Sequence, residues 1–198
     1  MNMDEFNNRK TPRLKTFDYN TVGVYFITIC TENRKCILSH VVGTGVPDCP
    51  CPPLIDRAKI ELTAYGKIAE KYIKQLNDFY EHLSIEHYVI MPNHIHLLLF
   101  IKEKQKMERS GVNGQSRAPD NGQSRTPVPT NNIERANSVF SQFLSTFKRF
   151  CNKEYGCNIW QTRAYDHIIR NQEDYEKHVR YIYENPMRWY YDDLYTDQ

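Results

Sequence analysis

Apolar positions recur along this 198-residue chain with two periods, one of two residues and one near 3.6, and the switches between them mark its elements. "TVGVYFITICT" at 21–31 is β-branched and aromatic and reads as a strand, which "CILSH" continues as a short second one. "VVGTGVPDCPCPPLI" at 41–55 is rich in Gly and Pro and reads as a loop. From Asp56, a suitable N-cap, the positions Ile60, Leu62, Ala64, Ile68, Tyr72, Ile73, Leu76, Phe79 and Tyr80 follow helical spacing. Gly66 inside that pattern costs about 1 kcal/mol relative to Ala, which points to a kink or a close helix–sheet approach. "SIEHYVIMP" (84–92) and "HIHLLLFI" (94–101) read as two strands broken at Pro92. A helix over 131–156 carries the stripe Val139, Phe140, Phe143, Leu144, Phe147 and Phe150, and Gly156 stops it. A short segment, "CNIWQTRAYDHIIRN", leads to a last helix, "QEDYEKHVRYIYENP", which Asn185-Pro186 terminates. This order suits an α+β sandwich, an antiparallel sheet with helices on one face.

Composition narrows the picture. Lys and Arg number 26 against 24 Asp and Glu, a net charge of +2, so any basic surface must be local. No run of about 18 apolar residues predicts a membrane span, and "MNMDEFNNRKTPRLK" lacks the apolar stretch of a signal peptide. The six cysteines (30, 36, 49, 51, 151 and 157) show no C-x-x-C pairing. Together these predict a cytoplasmic, reduced protein. Within 103–131, "NGQSRAPD" is followed eight residues on by "NGQSRTPV", and no apolar position recurs that could bury a face. The expected organisation is one domain over 1–198 with disordered loop insertions at 41–53 and 103–131.

The chemistry starts at "VIMPNHIHLLLF" (89–100). On a strand, His94 and His96 share one face, about 6.6 Å apart along the chain, while Ile95, Leu97 and Leu99 take the other. Two imidazoles so placed can converge on a divalent metal if a third ligand arrives from elsewhere. The bland alternative is two half-exposed histidines with no shared role. A zinc-stabilised interaction module built on Cys49, Cys51, His94 and His96 is a further reading, and a chelator would unfold it.

"VIMPNHIHLLL", together with "WQTRAYDHIIRNQEDYEKHVRYIYENPMRW" and the opening "RLKTFDYNTVGVYFITICTENRKCIL", resembles the IS200-like transposase family, in its branch of REP-associated tyrosine transposases. The likeness spans roughly 9–38, 56–102 and 133–190. It implies a ferredoxin-like core, a C-terminal helix carrying a tyrosine, and HUH-type cleavage of single-stranded hairpin DNA through a 5′-phosphotyrosine. It implies His94 and His96 as metal ligands, Tyr181 as nucleophile, and a divalent metal, Mg or Mn. Relatives with a Y-x-x-x-Q pattern put the third ligand at the position of Asn185, which otherwise reads as a helix cap. His178, Tyr181 and Asn185 share a helix face at i, i+3 and i+7, so His178 is an accessory ligand or proton acceptor. Tyr165, Tyr175 and Tyr183 compete with Tyr181; Tyr183 points about 160° away from it and reads as core.

DNA contact is expected from the N-terminal arm (Arg9, Lys10, Arg13, Lys15) and from the basic side of the 131–156 helix (Lys148, Arg149, Lys153). Arg163 and Arg170 join them, tracking phosphates rather than reading bases. Trp160 and Tyr165 are candidates for stacking on unpaired bases, with a core role for Trp160 equally open. The implied partner is single-stranded or hairpin DNA, with no membrane. The protein would be a monomer, or a homodimer in which the tyrosine helix serves the partner's histidines. A relaxase or replication initiator of the same chemistry, and a catalytically silent DNA-hairpin-binding protein, are the rival readings.

Overall fold

The computed structural model describes residues 18–43, 58–102 and 138–196. The elements are β1 (Gly23–Cys30), β2 (Ser39–Val42), β3 (Lys59–Leu62), α1 (Ala64–Phe79), β4 (Leu83–Ile90), β5 (His94–Ile101), α2 (Val139–Tyr155), β6 (Tyr165–Ile169) and α3 (Gln172–Glu184). A 3-10 helix over Asn185–Tyr191 follows directly. The main sheet has the order β4-β5-β1-β6, with every pairing antiparallel. With α1 between β1 and β4 and α2 between β5 and β6, this is the βαββαβ connection of a ferredoxin-like fold. β2 and β3 form a separate two-stranded ribbon.

Strand alternation sorts the side chains. Tyr25, Ile27 and Ile29 of β1 and Ile95, Leu97 and Leu99 of β5 pack with Ile73 of α1 and Phe143 and Phe147 of α2. Each such side chain contributes about 1.5–3 kcal/mol on full burial, so this layer dominates stability. The opposite face carries Phe26, Leu98 and Met91 and is covered by Ile182 of α3 and Trp189 of the 3-10 helix. The histidines of β5 belong to that second face. Helices α1 and α2 thus lie on one side as expected, and α3 closes the other.

Several boundaries depart from the sequence reading. Val41 and Val42, read as the start of a loop, complete β2 and pair with Ile60 and Lys59. Ile60 and Leu62, read as helical, lie in β3; four residues are too few for a period of two to outweigh the helical pattern after them. Thr63 caps α1 instead of Asp56, its hydroxyl accepting from the Gly66 amide at 3.2 Å. Ser138 caps α2, and Gly156, in the left-handed region at φ 76°, ends it as predicted. The segment after α2 supplies the edge strand β6. Asn185 keeps helical dihedrals (φ −55°, ψ −43°). Pro186 does not end the helical path there, because it sits at the start of the 3-10 helix, where its missing N–H leaves no bond unmade. The remainder of the 41–53 insertion beyond Gly43, and all of 103–131, lie outside the described residues, as do Cys49, Cys51, Arg9, Lys10, Arg13 and Lys15.

Gly66 marks a close approach. A Cβ there would collide with the backbone carbonyl oxygen of Leu38, which also accepts from Thr63 N–H and Oγ1, both at 3.0 Å. Gly66→Ala is therefore expected to destabilise the fold by about 2–3 kcal/mol, outweighing the helix propensity that Ala adds. Urea unfolding of the variant checks this; a midpoint equal to that of the parent would contradict the contact.

Candidate functional site

His94 is fully buried and His96 is 3% exposed. Their ring centroids lie 4.4 Å apart. Each ring is fixed through Nδ1. For His94 the partner is Asn93 Oδ1 at 2.8 Å, and since Asn93 Nδ2 donates to the Leu194 carbonyl at 2.7 Å, Oδ1 is the acceptor and the His94 proton sits on Nδ1. Its Nε2 is then a bare lone pair. His96 Nδ1 meets Thr28 Oγ1 at 2.9 Å. Both Nε2 atoms are buried with no hydrogen-bond partner. Two orphaned imidazole nitrogens side by side carry a cost of about 1–3 kcal/mol each unless something coordinates them, so the donor set fits a metal with its outer partners in place.

The third donor comes from the end of the chain. Asp192, 8% exposed, brings its carboxylate into a group with the two imidazoles in which all ligand atoms lie within 4.8 Å of one another. Its Oδ2 accepts from Asn185 Nδ2 at 2.9 Å and from the Tyr181 hydroxyl at 3.3 Å, while Oδ1 accepts from the Leu194 amide at 2.7 Å. Asn185 is buried, and its Oδ1 has no hydrogen-bond partner. The Asn185 position thus joins the site through Asp192. Asp192 itself escaped sequence reading because "WYYDDLY" has no ligand spacing. The available signal was an acidic pair embedded in an aromatic run that must pack.

Tyr181 sits against this group, its ring 5.2 Å from that of His96 and 6.0 Å from Phe26. Burial, and then the Asp192 charge, push its hydroxyl above the ordinary tyrosine value. A cavity lined by His96, Tyr181, Asp192, Arg34, Asp166 and Tyr165 gives access from solvent. His178 is buried on the same helix face; its Nδ1 donates to the Asp174 carbonyl at 2.7 Å, and its ring stacks on His167 at 4.6 Å.

The competing tyrosines are separated by geometry. His87 meets the Tyr175 hydroxyl at 3.0 Å and the Tyr183 hydroxyl at 3.2 Å. Tyr183 is 66% exposed, so the core role expected of it does not hold. Tyr165 lines the cavity and is half exposed. Trp160 is buried at 5.5 Å from Phe147 and is a core residue, not a stacking platform. Among the predicted DNA contacts, Arg149, Lys153, Arg163 and Arg170 are exposed. Lys148 is not a free cation: its Nζ donates to the carbonyls of Gln161 at 2.7 Å and Thr162 at 3.2 Å, tying α2 to the segment before β6.

The buried imidazoles favour their neutral forms. Burial, then the Arg34 charge, pushes His94 down to about 3; burial, then the neighbouring His94, holds His96 well below its ordinary value. Between about pH 6.5 and about 3 the unfolded chain binds protons that the folded chain does not. Stability is therefore complete above pH 6.5 and declines as pH falls, by up to about 1.4 kcal/mol per pH unit for each histidine. Urea unfolding in chelator at pH 7.5, 6 and 5 should show this slope; a flat profile would contradict the burial.

No protein-family profile matches the chain. Three curated relatives do. An uncharacterised protein of Haemophilus influenzae is 29% identical over 191 residues, covering 96% of this chain and 95% of that protein. A second H. influenzae protein, provisionally named a REP-associated tyrosine transposase, is 29% identical over 181 residues, 91% of this chain and 79% of its own length. The REP-associated tyrosine transposase of Escherichia coli is 26% identical over 132 residues, 67% of this chain and 60% of its own. A solved structure of a REP-associated tyrosine transposase bound to a REP hairpin shares the fold, with a TM-score of 0.53 and 21% identity over 89% of this chain and 74% of the other. No helix among the described residues is long and apolar enough to cross a membrane. The chain is thus similar along most of its length to a protein provisionally named a REP-associated tyrosine transposase, and it shares the fold of a solved one.

Proposed function

We propose that the chain cuts and rejoins single-stranded DNA at hairpins, with Tyr181 as the nucleophile and a divalent cation, Mg or Mn, at His94 and His96. The observation that supports this most is the meeting of two orphaned imidazole nitrogens with the Asp192 carboxylate, to which the Tyr181 hydroxyl bonds. The names of the relatives, and the hairpin in the complex of one structural neighbour, supply the substrate class. Asp192 and the Asn185 amide oxygen are the candidates to complete the cation's ligands. A bound cation would polarise the phosphate and offset charge on its oxygens.

The residues divide the remaining work. The Tyr181 oxygen attacks phosphorus; its O–H bond and the P–O3′ bond break, while the tyrosine O–P bond and a 3′ O–H bond form. The products are a 5′-phosphotyrosine and a free 3′-hydroxyl, an exchange of one ester for another, so rejoining needs no external energy. Burial keeps the Tyr181 hydroxyl protonated at rest, and Asp192 is placed to accept that proton as attack proceeds. Tyr181 lies beside His96 of its own chain, which supports cleavage by one copy without a tyrosine from a partner. The test is incubation with labelled hairpin DNA carrying single-stranded flanks, in Mn or Mg. A denaturation-resistant protein–DNA band that chelator prevents is the expected result. Tight hairpin binding without any band would instead favour a catalytically silent binder.

A further inference from the structure

The turn after β1 holds two successive residues in the left-handed region, Asn33 at φ 55° and Arg34 at φ 52°. Asn tolerates that conformation; for Arg it costs about 1–2 kcal/mol, and such strain persists only where the surroundings enforce it. They do so here. Thr31 N–H and Oγ1 both bond the Asn93 carbonyl, at 2.9 and 3.0 Å, Arg34 N–H bonds the Thr31 carbonyl at 3.1 Å, and Thr196 Oγ1 donates to the Arg34 carbonyl at 3.2 Å. The turn is thus bolted to the residue that precedes His94 and to the chain end beyond Asp192.

The consequence is the placement of one guanidinium. Arg34 lines the cavity with His96, Tyr181 and Asp192. It is the one Lys or Arg among the described lining residues, against the carboxylates of Asp166, Asp192 and Asp193. Its Nη1 donates to the Asp193 carbonyl at 3.2 Å, and it forms no ion pair with the described residues. Most of its five donors therefore remain for a ligand. An anionic phosphodiester entering between three carboxylates is repelled unless a cation meets it on the open side, and a planar fork fits two phosphate oxygens. We propose that Arg34 grips the scissile phosphodiester across the cavity from the histidine pair and orients it for Tyr181, a role that rests on the nuclease reading of the same site.

The test measures adduct formation and hairpin affinity separately in Arg34→Gln, Arg34→Lys and Arg34→Gly. Gly suits a left-handed turn, so Arg34→Gly should fold at least as stably as the parent, and any loss in it is not misfolding. The Gln and Gly variants are expected to form adduct about 100-fold or more slowly, with hairpin affinity changed less than about threefold, since one phosphate contact is a small share of the many that position a protein on nucleic acid. Arg34→Lys, which keeps charge but loses the fork, should fall between. Adduct rates near the parent value in Gln and Gly would overturn the proposal, as would equal losses of rate and affinity, which would make Arg34 a general hairpin contact. If the parent forms no adduct at all, the nuclease reading fails. Binding of the dinucleotide thymidylyl-thymidine, followed by phosphorus NMR, then decides for Arg34: weaker binding in Arg34→Gln keeps the phosphate site, and equal binding removes it.

Discussion

Tyr181→Phe is expected to abolish the covalent protein–DNA adduct, a loss of at least about a thousandfold, or about 4 kcal/mol of barrier. The fold should be little affected. The hydroxyl's hydrogen bond to Asp192 is long, at 3.3 Å, and Asp192 keeps its shorter bonds from Asn185 and Leu194. The ring remains to pack on Phe26 and His96. Quantified adduct and urea unfolding, measured on one preparation, check both halves. Residual adduct above about a tenth of the parent level would move the nucleophile, with Tyr165, which lines the same cavity, the first to examine.

The second large effect is at the histidine pair. In ordinary cores, truncating a large buried side chain costs about 2–5 kcal/mol. His96→Ala should cost clearly less in chelator, because the deletion also removes an orphaned, desolvated nitrogen. Its functional loss should be complete: no adduct, and no rise in melting temperature on adding Mn, where the parent protein gains stability as ligand saturates the folded state. A variant that still gains stability from Mn would mean the cation sits elsewhere. The other described group of metal-binding type, His167, Asp174 and His178, is where it would be sought. If chelator alone unfolded the parent protein, a structural zinc module would be the better description. A sandwich whose larger apolar layer lies on the sheet face away from the histidines is expected to survive.

How far the sequence carries depends on how each residue is tied to a period. Alternation on an eight-residue strand leaves His94 and His96 no choice but one face, and i, i+4 spacing puts Tyr181 and Asn185 on one helix side. That these four belong to one site comes from the family resemblance, not from the periods. β3 was not legible, since Lys59–Leu62 is short and runs into a strong helical pattern. For Trp160 the core reading, left open beside stacking, is the one that holds, since the indole packs against Phe147 of α2, whereas Tyr183, read as core, faces solvent and bonds His87. Lys148 reads as surface charge, and only tertiary structure shows two carbonyls consuming it. Asp192 and Arg34 lie in irregular segments whose neighbours are set by contacts distant in sequence, Asn93 with Leu194 and Arg34 with Asp193. No local pattern encodes such pairs, and half of the candidate site depends on them.

The most direct test of the central claim is to find which atom carries the DNA. Adduct formed with hairpin DNA in Mn should be digested with nuclease and protease and its peptides sequenced by mass spectrometry. The account predicts a phosphonucleotide on Tyr181, in the peptide "YIYENPMR", with fragmentation placing it on the first tyrosine of that peptide. A nucleotide on Tyr183 or Tyr165, or on any residue that does not face His94 and His96, would contradict it.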